Sequence, residues 1–325
     1  MKAAVLTCFG GPENIEIRDV PQPKCKPHQV LIRVRATSVS SGDARIRGKN
    51  VPQGYGPMVN LIFGFNKPRI PILGMSFAGD VVEVGTKVTR FETGDRVFGV
   101  TGFGMGAHAE MVAVKAQSGL AKMPDCMSYE QAATIPFGGT TSRFFLVDRA
   151  KLKRGERIMI NGASGAVGVA MIQLAKYLGA HVTGVSSSSN HDLLRDLGAD
   201  EVIDYRSSDI AKIAETYDVI ADCVGTAPYS RMKDRLKPGG RLLMVVGTLA
   251  QALAAPFQSM RGPHKVMGGT SDSTQEDLQW LLDAQAAGYL RPVIDSTFTL
   301  SEVAQAHARA DTGRKVGAVV VTLPG

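Results

Sequence analysis

The residues of this chain that could do chemistry gather first in a glycine turn and a run of hydroxyls. In Ile160-Asn161-Gly162-Ala163-Ser164-Gly165-Ala166-Val167-Gly168, the residues Ala163, Gly165 and Gly168 occupy the three positions of the G-x-G-x-x-G spacing that receives a dinucleotide pyrophosphate. Alanine serves at the first position if the turn keeps φ negative there. Gly165 lets the backbone approach a phosphate without a Cβ in the way, and Gly168 lets a helix close on a strand. Ser164, Ala166 and Val167 complete the turn, and the unpaired amides of the first helical turn face the phosphates. Roughly 20 residues on, where a chain specific for NAD places a carboxylate, this one has Ser186, Ser187, Ser188, Ser189 and Asn190. Hydroxyls do not repel a ribose 2′-phosphate, so NADPH is the expected cofactor, with Arg206, Arg314 and Lys315 as candidate positive partners. The alternative is that the serines form only a flexible loop.

Such a turn works only on a frame. Residues 157–160 form an apolar run that reads as a strand. Val167, Ala170, Met171, Leu174 and Leu178 recur at helical spacing, Gly179 stops the helix, and 181–185 gives the second strand. Alternation continues with a helix at 190–197, strands at 201–205 and 218–222, a helix at 227–235 and a strand at 241–246. This predicts a parallel sheet with helices on both faces. Val224 and Gly225 follow one of these strands, and Val246, Gly247 and Thr248 lie at the end of another, on the sheet edge where ligands sit. Residues 249–260 are unusually apolar, which suits a pocket wall, a subunit contact or core.

The first part of the chain reads differently. Strands are predicted at 3–7, 15–19 and 29–38, the last with Val30, Ile32, Val34 and Ala36 alternating with polar neighbours. Residues 40–48 turn into a short helix in which Asp43 is either the N-cap or a catalytic carboxylate. Ser40 and Tyr55 are the candidate hydrogen-bond donors to a reacting group. Residues 49–70 are expected to be a long loop that covers a pocket or meets a partner, and 71–85 and 91–99 are strands broken by glycine turns, as in a small β barrel. Two helices are expected around 136–141, then helices at 274–287 and 301–311 and a closing strand at 318–322.

Bulk properties narrow the classes. A formal charge of +7 is spread along the chain with no block of five basic residues, which points to a solvated surface rather than a nucleic-acid face. No apolar run approaches the roughly 20 residues of a membrane span, and the N-terminus starts a strand, so the cytoplasm is the expected compartment. Cys8, Cys25, Cys126 and Cys223 are far apart and form no C-x-x-C pair, which argues against a disulfide frame or a cysteine zinc cage.

The pattern G-x-x-F-A-G-x-V-x-x-V-G at 74–85, then F-x-x-G-D-R-V-F-G at 91–99, then the glycine turn, resembles the medium-chain dehydrogenase/reductase superfamily over essentially the whole chain. Ser38-Val39-Ser40-Ser41-Gly42-Asp43 is similar to the V-N-x-x-D turn of its quinone oxidoreductase branch, with Ser40 in place of the asparagine. The resemblance implies an α/β protein: a GroES-like β-barrel catalytic domain (1–125 and 266–325) interrupted by a doubly wound Rossmann NADPH-binding domain (126–265). It also implies a homodimer formed through the nucleotide domains. It places Thr141 near the cofactor, with a helix cap as the alternative role, Tyr205 on the 2′-phosphate, and Val246 to Thr248 together with Gly269 and Thr270 beside the nicotinamide. The alcohol dehydrogenase branch carries a cysteine zinc ligand near residue 40 and a histidine ligand at the position of Met75. Serine and a thioether do not replace thiolate and imidazole, so no metal is expected.

The expected activity is zinc-independent, NADPH-dependent hydride transfer to a small apolar quinone or α,β-unsaturated carbonyl compound. The alternative is an NADPH-binding, crystallin-like structural or RNA-binding protein with little catalysis.

Overall fold

The computed structural model describes residues 1–270 and 272–324. In chain order, the strands and helices are β1 (Lys2–Leu6), β2 (Ile15–Asp19), β3 (Gln29–Val39), α1 (Ser41–Gly48), α2 (Gly56–Phe63), β4 (Ser76–Val84), β5 (Arg96–Val100), β6 (Met111–Lys115), β7 (Leu120–Lys122) and α3 (Tyr129–Arg143). There follow β8 (Arg157–Asn161), α4 (Ala166–Tyr177), β9 (His181–Ser186), α5 (His191–Asp196), β10 (Glu201–Asp204), β11 (Tyr217–Asp222), α6 (Tyr229–Met232), β12 (Leu236–Met244) and α7 (Leu249–Arg261). The last are β13 (Lys265–Gly268), α8 (Gln275–Ala286), β14 (Ile294–Thr299), α9 (Val303–Asp311) and β15 (Ala318–Thr322).

The second group of strands makes a six-stranded sheet in the order β10-β9-β8-β11-β12-β13, every neighbouring pair parallel. A central parallel strand is buried on both faces, and the side chains show it: Ile158 and Ile160 of β8 join one core, while Met159 between them joins the core on the opposite face. Each such fully buried aliphatic contributes about 1.5–3 kcal/mol. The order reverses between β8 and β11, whose last residues, Asn161 and Asp222, pair side by side. A crevice opens at the carboxyl ends of strands at such a reversal.

The remaining strands form the first domain. β14-β15-β3-β4-β5-β7 is one sheet, with β6 also paired to β3, and β1 and β2 form a separate hairpin. The strands β14 and β15 come from the far end of the chain, and β15 runs antiparallel to β3. The C-terminus therefore returns to complete the domain begun at the N-terminus.

Three expectations change. Residues 129–143 are one helix, α3, not two: Pro136 sits within it, and the Thr140 hydroxyl donates to the Pro136 carbonyl (2.8 Å). Helix α3 runs between the domains, and its glycines permit close approach; a Cβ on Gly138 would stand 2.3 Å from the Ala166 carbonyl oxygen of α4. Second, the expected loop 49–70 contains α2, which buries Val59 and Phe63 but leaves Leu61 64% exposed. Third, β13 pairs with β12 as the sixth strand of the parallel sheet, so a boundary between residues 265 and 266 falls inside a strand of the parallel-sheet domain.

Candidate active site

The glycine turn sits at the end of β8. Its one positive φ is at Gly162 (+80°), and Ala163, with φ negative, is fully buried, which is why alanine serves there. The amides of Gly162 and Ala163 both donate to the Val185 carbonyl (3.2 and 3.0 Å), pinning the turn to β9. Gly168 is required by packing, since a Cβ there would stand 2.3 Å from the Gly162 carbonyl oxygen. Gly165 is different. It caps α4 with φ −72°, and the nearest atom to an added Cβ is 3.6 Å away, so nothing in the chain itself demands a glycine. What its bare backbone leaves open is the wall of a cavity of about 530 Å³.

That cavity is lined by Ser164, Gly165, Ser186, Ser187, Ser189, Asn190, Tyr205, Val224 and Lys315 from the expected set, together with Arg206, Arg231 and Arg314. Among the described residues four basic side chains line it and no carboxylate does. Two carboxylates flank lining residues and are turned to partners of their own: Asp204 accepts from the amides of Ser188 (3.2 Å) and Arg206 (2.8 Å), and Asp209 pairs with Arg231 (2.7 Å). Ser188 therefore lies outside the lining. The segment that carries Lys315 belongs to the first domain yet joins the glycine turn, the Gly317 amide donating to the Ser164 carbonyl (2.8 Å). Lys315 Nζ donates to the Gly317 carbonyl (2.8 Å). Burial pushes its ammonium down to about 8, against the pull of Asp295 and with help from Arg309. The residues present fit an anionic dinucleotide.

A second cavity, of about 440 Å³, lies between the domains, and its apolar wall includes Met75, Phe103, Phe137, Phe145 and Val246. Thr141, Val167, Gly269 and Thr270 of the expected set also line it. Thr141 is mid-helix, so the cap alternative does not apply; its hydroxyl donates to the Phe137 carbonyl (2.7 Å) and keeps its lone pairs for the cavity. The two cavities meet along the glycine turn, which puts Gly165 in one wall and Val167 in the other. Cys223 and Val224 do the same at the end of β11.

The two candidate donors to the reacting group are placed elsewhere. Ser40 is the N-cap of α1 and is buried; its hydroxyl donates to Asp43 Oδ2 (2.5 Å) and accepts from the Asp43 amide (3.1 Å). No hydrogen of that hydroxyl remains for a substrate. Asp43 in turn is the third helical residue of a capping box and not the cap, and its other oxygen accepts from the Gly74 amide (2.9 Å). This carboxylate ties α1 to the segment that presents Met75. Tyr55 precedes α2 and is not part of the cavity wall. Thr248 is likewise an N-cap, accepting from the Gln251 amide (3.2 Å), and neither it nor Gly247 lines either cavity. Gly225 (φ +85°) shapes the turn after β11, and Ala166 is the first residue of α4.

Sequence reasoning missed several residues. Asp222 accepts from the amides of Val224, Gly225 and Ala227 and from Asn161 Nδ2, which also reaches Thr226 Oγ1 (2.9 Å). This buried knot fixes the strand ends at the switch point. Ser41 and Arg45, one helical turn apart on α1, both line the interdomain cavity. The capping signature Ser40-x-x-Asp43 was there to be read, and it points the next residue and its i+4 neighbour away from the cap. Among the described residues no three His, Cys, Asp or Glu side chains gather as a metal site. The Met75 thioether and the Ser41 hydroxyl are not a zinc donor set.

A doubly wound sheet with a glycine turn at its switch point, set against a β domain across an apolar cleft, defines a two-domain nucleotide-dependent dehydrogenase. Comparison with known proteins agrees. The alcohol dehydrogenase GroES-like domain matches residues 26–125, and the zinc-binding dehydrogenase domain matches residues 197–321. The chain is 32% identical to a quinone oxidoreductase of Pseudomonas aeruginosa, over 98% of this chain and 99% of that protein. It is 31% identical to a human quinone oxidoreductase, over 94% and 93%. The solved structure of the quinone oxidoreductase from Coxiella burnetii superposes with a TM-score of 0.88 at 29% identity, over 100% and 99% of the two chains. The chain belongs to the medium-chain dehydrogenase/reductase family, in its quinone oxidoreductase group, and is an oxidoreductase of a kind that uses a nicotinamide cofactor. No helix among its described residues is long and apolar enough to cross a membrane.

Proposed function

We propose that this enzyme uses NADPH to reduce quinones or the carbon–carbon double bond of α,β-unsaturated carbonyl compounds, and does so without zinc. When bound, NADPH supplies the hydride. The observation that carries the reading is the placement of the two cavities on either side of the glycine turn: one lined among the described residues by four basic side chains and no carboxylate, the other largely apolar, so an extended anionic ligand can end against a small apolar acceptor.

The chain's own part follows from its residues. The amides at the start of α4 and the open face of Gly165 hold the pyrophosphate. Arg206, Arg231, Arg314 and Lys315, with the hydroxyls of Ser186 and Ser187, supply the charge and hydrogen bonds that favour a 2′-phosphate. Phe137, Phe145 and Val246 exclude water and align the acceptor. The Ser41 hydroxyl, which has no partner in the protein among the described residues, donates to the acceptor oxygen as negative charge develops there. The proton that completes the reduction comes from solvent. Met75 stands where a zinc enzyme needs a ligand, so no Lewis acid takes part.

Turnover of an ortho-quinone and a conjugated enone by the purified protein, with NADPH and NADH side by side and zinc content measured, tests this. The expected result is consumption with a clear NADPH preference at negligible zinc. Turnover only with NADH, or loss of activity with removal of stoichiometric zinc, contradicts it.

A homodimer in the cytoplasm completes the proposal. Helix α7 packs on β13 at the open edge of the parallel sheet, and it presents Leu253, Phe257 and Met260 at 66, 62 and 81% exposure along one stripe. Light scattering on the native protein and on Phe257→Glu is expected to show a dimer and its weakening.

A further inference from the structure

Among the described residues Arg45 is the one basic side chain in the wall of the interdomain cavity. It is half-buried, and among the described residues its guanidinium makes neither a hydrogen bond to the protein nor an ion pair. Its neighbours show how unusual that is. Arg47, two residues on and fully buried, is paired with Asp311 and the Gly10 carbonyl. Arg143, at the end of α3, is paired with Asp148 and Asp277. The acidic residue that shares the cavity wall with Arg45 is Asp272, which is exposed and forms no ion pair with it. The buried Asp43 on the same helix is used up by Ser40 and Gly74. Burial also lowers the Arg45 pKa from its ordinary value, the mark of a cation that loses water without gaining a partner. A guanidinium presents a planar fork of donors that matches a carboxylate in two parallel hydrogen bonds.

Resting on the reductase reading above, we infer that Arg45 selects the acceptor: the preferred substrates are quinones or enones that carry a carboxylate, held at one end by Arg45 while Met75, Phe103 and Phe137 enclose the apolar remainder. The spacing supports this division of labour. Ser41 and Arg45 lie four residues apart on α1 and face the same cavity, so one helix can offer a hydroxyl to the carbonyl oxygen that gains charge and a guanidinium to a fixed anion one helical turn away. Reduction leaves that carboxylate unchanged; in an enone hydride adds at the β-carbon and a solvent proton at the α-carbon, and in a quinone hydride and one solvent proton together give the hydroquinone.

The test compares 4-(4-carboxyphenyl)but-3-en-2-one with its methyl ester, two enones that differ in one charge. The wild-type protein is expected to favour the acid by about tenfold or more in kcat/KM. In Arg45→Met that ratio falls to about one, and Arg45→Lys, which keeps the charge but not the fork, lies between. A second readout does not depend on turnover: the saturated keto acid and its ester are titrated into the NADPH complex while nucleotide fluorescence is followed, and the wild-type protein binds the acid more tightly. Equal treatment of acid and ester by the wild type overturns the role of Arg45 while leaving the reductase reading intact. So does an Arg45→Met variant that weakens NADPH binding and keeps the acid preference. If neither enone nor any quinone turns over, the reductase reading fails, and the titration alone then decides whether Arg45 binds an anion.

Discussion

Raising the pH is expected to release the nucleotide, and Lys315 is the reason. Its ammonium lies in the wall of the basic cavity and titrates at about 8, because burial there outweighs the attraction of Asp295, with Arg309 adding to the fall. A guanidinium does not deprotonate in the range in which a lysine of this kind titrates, and the phosphates of the cofactor have lost their last protons by about pH 7. Lys315 is therefore the group that changes. With a value of about 8 it is about nine-tenths protonated at pH 7 and about one-tenth at pH 9. A bound phosphate raises that value, so the affinity for NADPH is expected to drop about tenfold between the two pH values. In the empty protein the sign is opposite. A lysine with a depressed native pKa makes the unfolded chain hold the extra proton between about 8 and 10.5, so its contribution to stability rises with pH across that window. Titration of NADPH by fluorescence or calorimetry at pH 7, 8 and 9, on the native protein and on Lys315→Met, measures this. The variant is expected to bind about tenfold more weakly at pH 7 and to show no further loss by pH 9. A flat native profile, or the same fall in the variant, refutes the reasoning.

Other perturbations separate structure from binding. Gly165→Ala is expected to keep its melting temperature and to lose NADPH affinity at least tenfold, because the new Cβ meets only the cavity, whereas Gly168→Ala drives a Cβ into the turn and lowers the melting temperature itself. Ser187→Asp places a carboxylate among the basic groups, and the ratio of kcat/KM for NADPH over NADH is expected to fall by about tenfold or more. Ser40→Ala removes the cap of α1; the loss is expected to be about 1 kcal/mol of stability, read as a drop of a few degrees in thermal unfolding. His307 is buried with neither ring nitrogen bonded, edge-on to the buried His108 at 5.4 Å. Burial, then His108 and Arg47, hold it well below 6.5, so the unfolded chain binds the proton first and stability falls as pH drops below about 6.5. Melting curves at pH 7 and 5.5 are expected to show that fall, and His307→Leu to reduce it.

Much of the frame was legible because burial imposes a period. Ile158 to Ile160 could be read as a strand and Val167 to Leu178 as a helix, since both faces of a parallel strand and one face of a covering helix must be apolar. The glycine turn and the serines that follow β9 were legible too, because their backbone and charge requirements are local. What escaped depended on contacts distant in sequence. Arg231 and Arg314 reach one cavity from segments more than 80 residues apart, and no spacing announces that. Helix α2 was hidden by Gly54, Gly56 and Pro57 at its entrance, which read as loop although proline is well suited to the first turn of a helix. Ser40 reads either way, because a hydroxyl near a reacting centre and a hydroxyl capping a helix look alike in sequence. The carboxylate three residues later decides between them, and in the structure it accepts the Ser40 hydroxyl's hydrogen bond.

The most direct test of the central claim follows the hydrogen. With NADPH stereospecifically deuterated at C4 of the nicotinamide, an enone in ordinary water and the purified protein, mass spectrometry of the product is expected to find one deuterium, at the β-carbon. One of the two C4 diastereomers is expected to deliver it and the other not. A product without deuterium from either diastereomer, or no product with enones and quinones alike, would contradict the account.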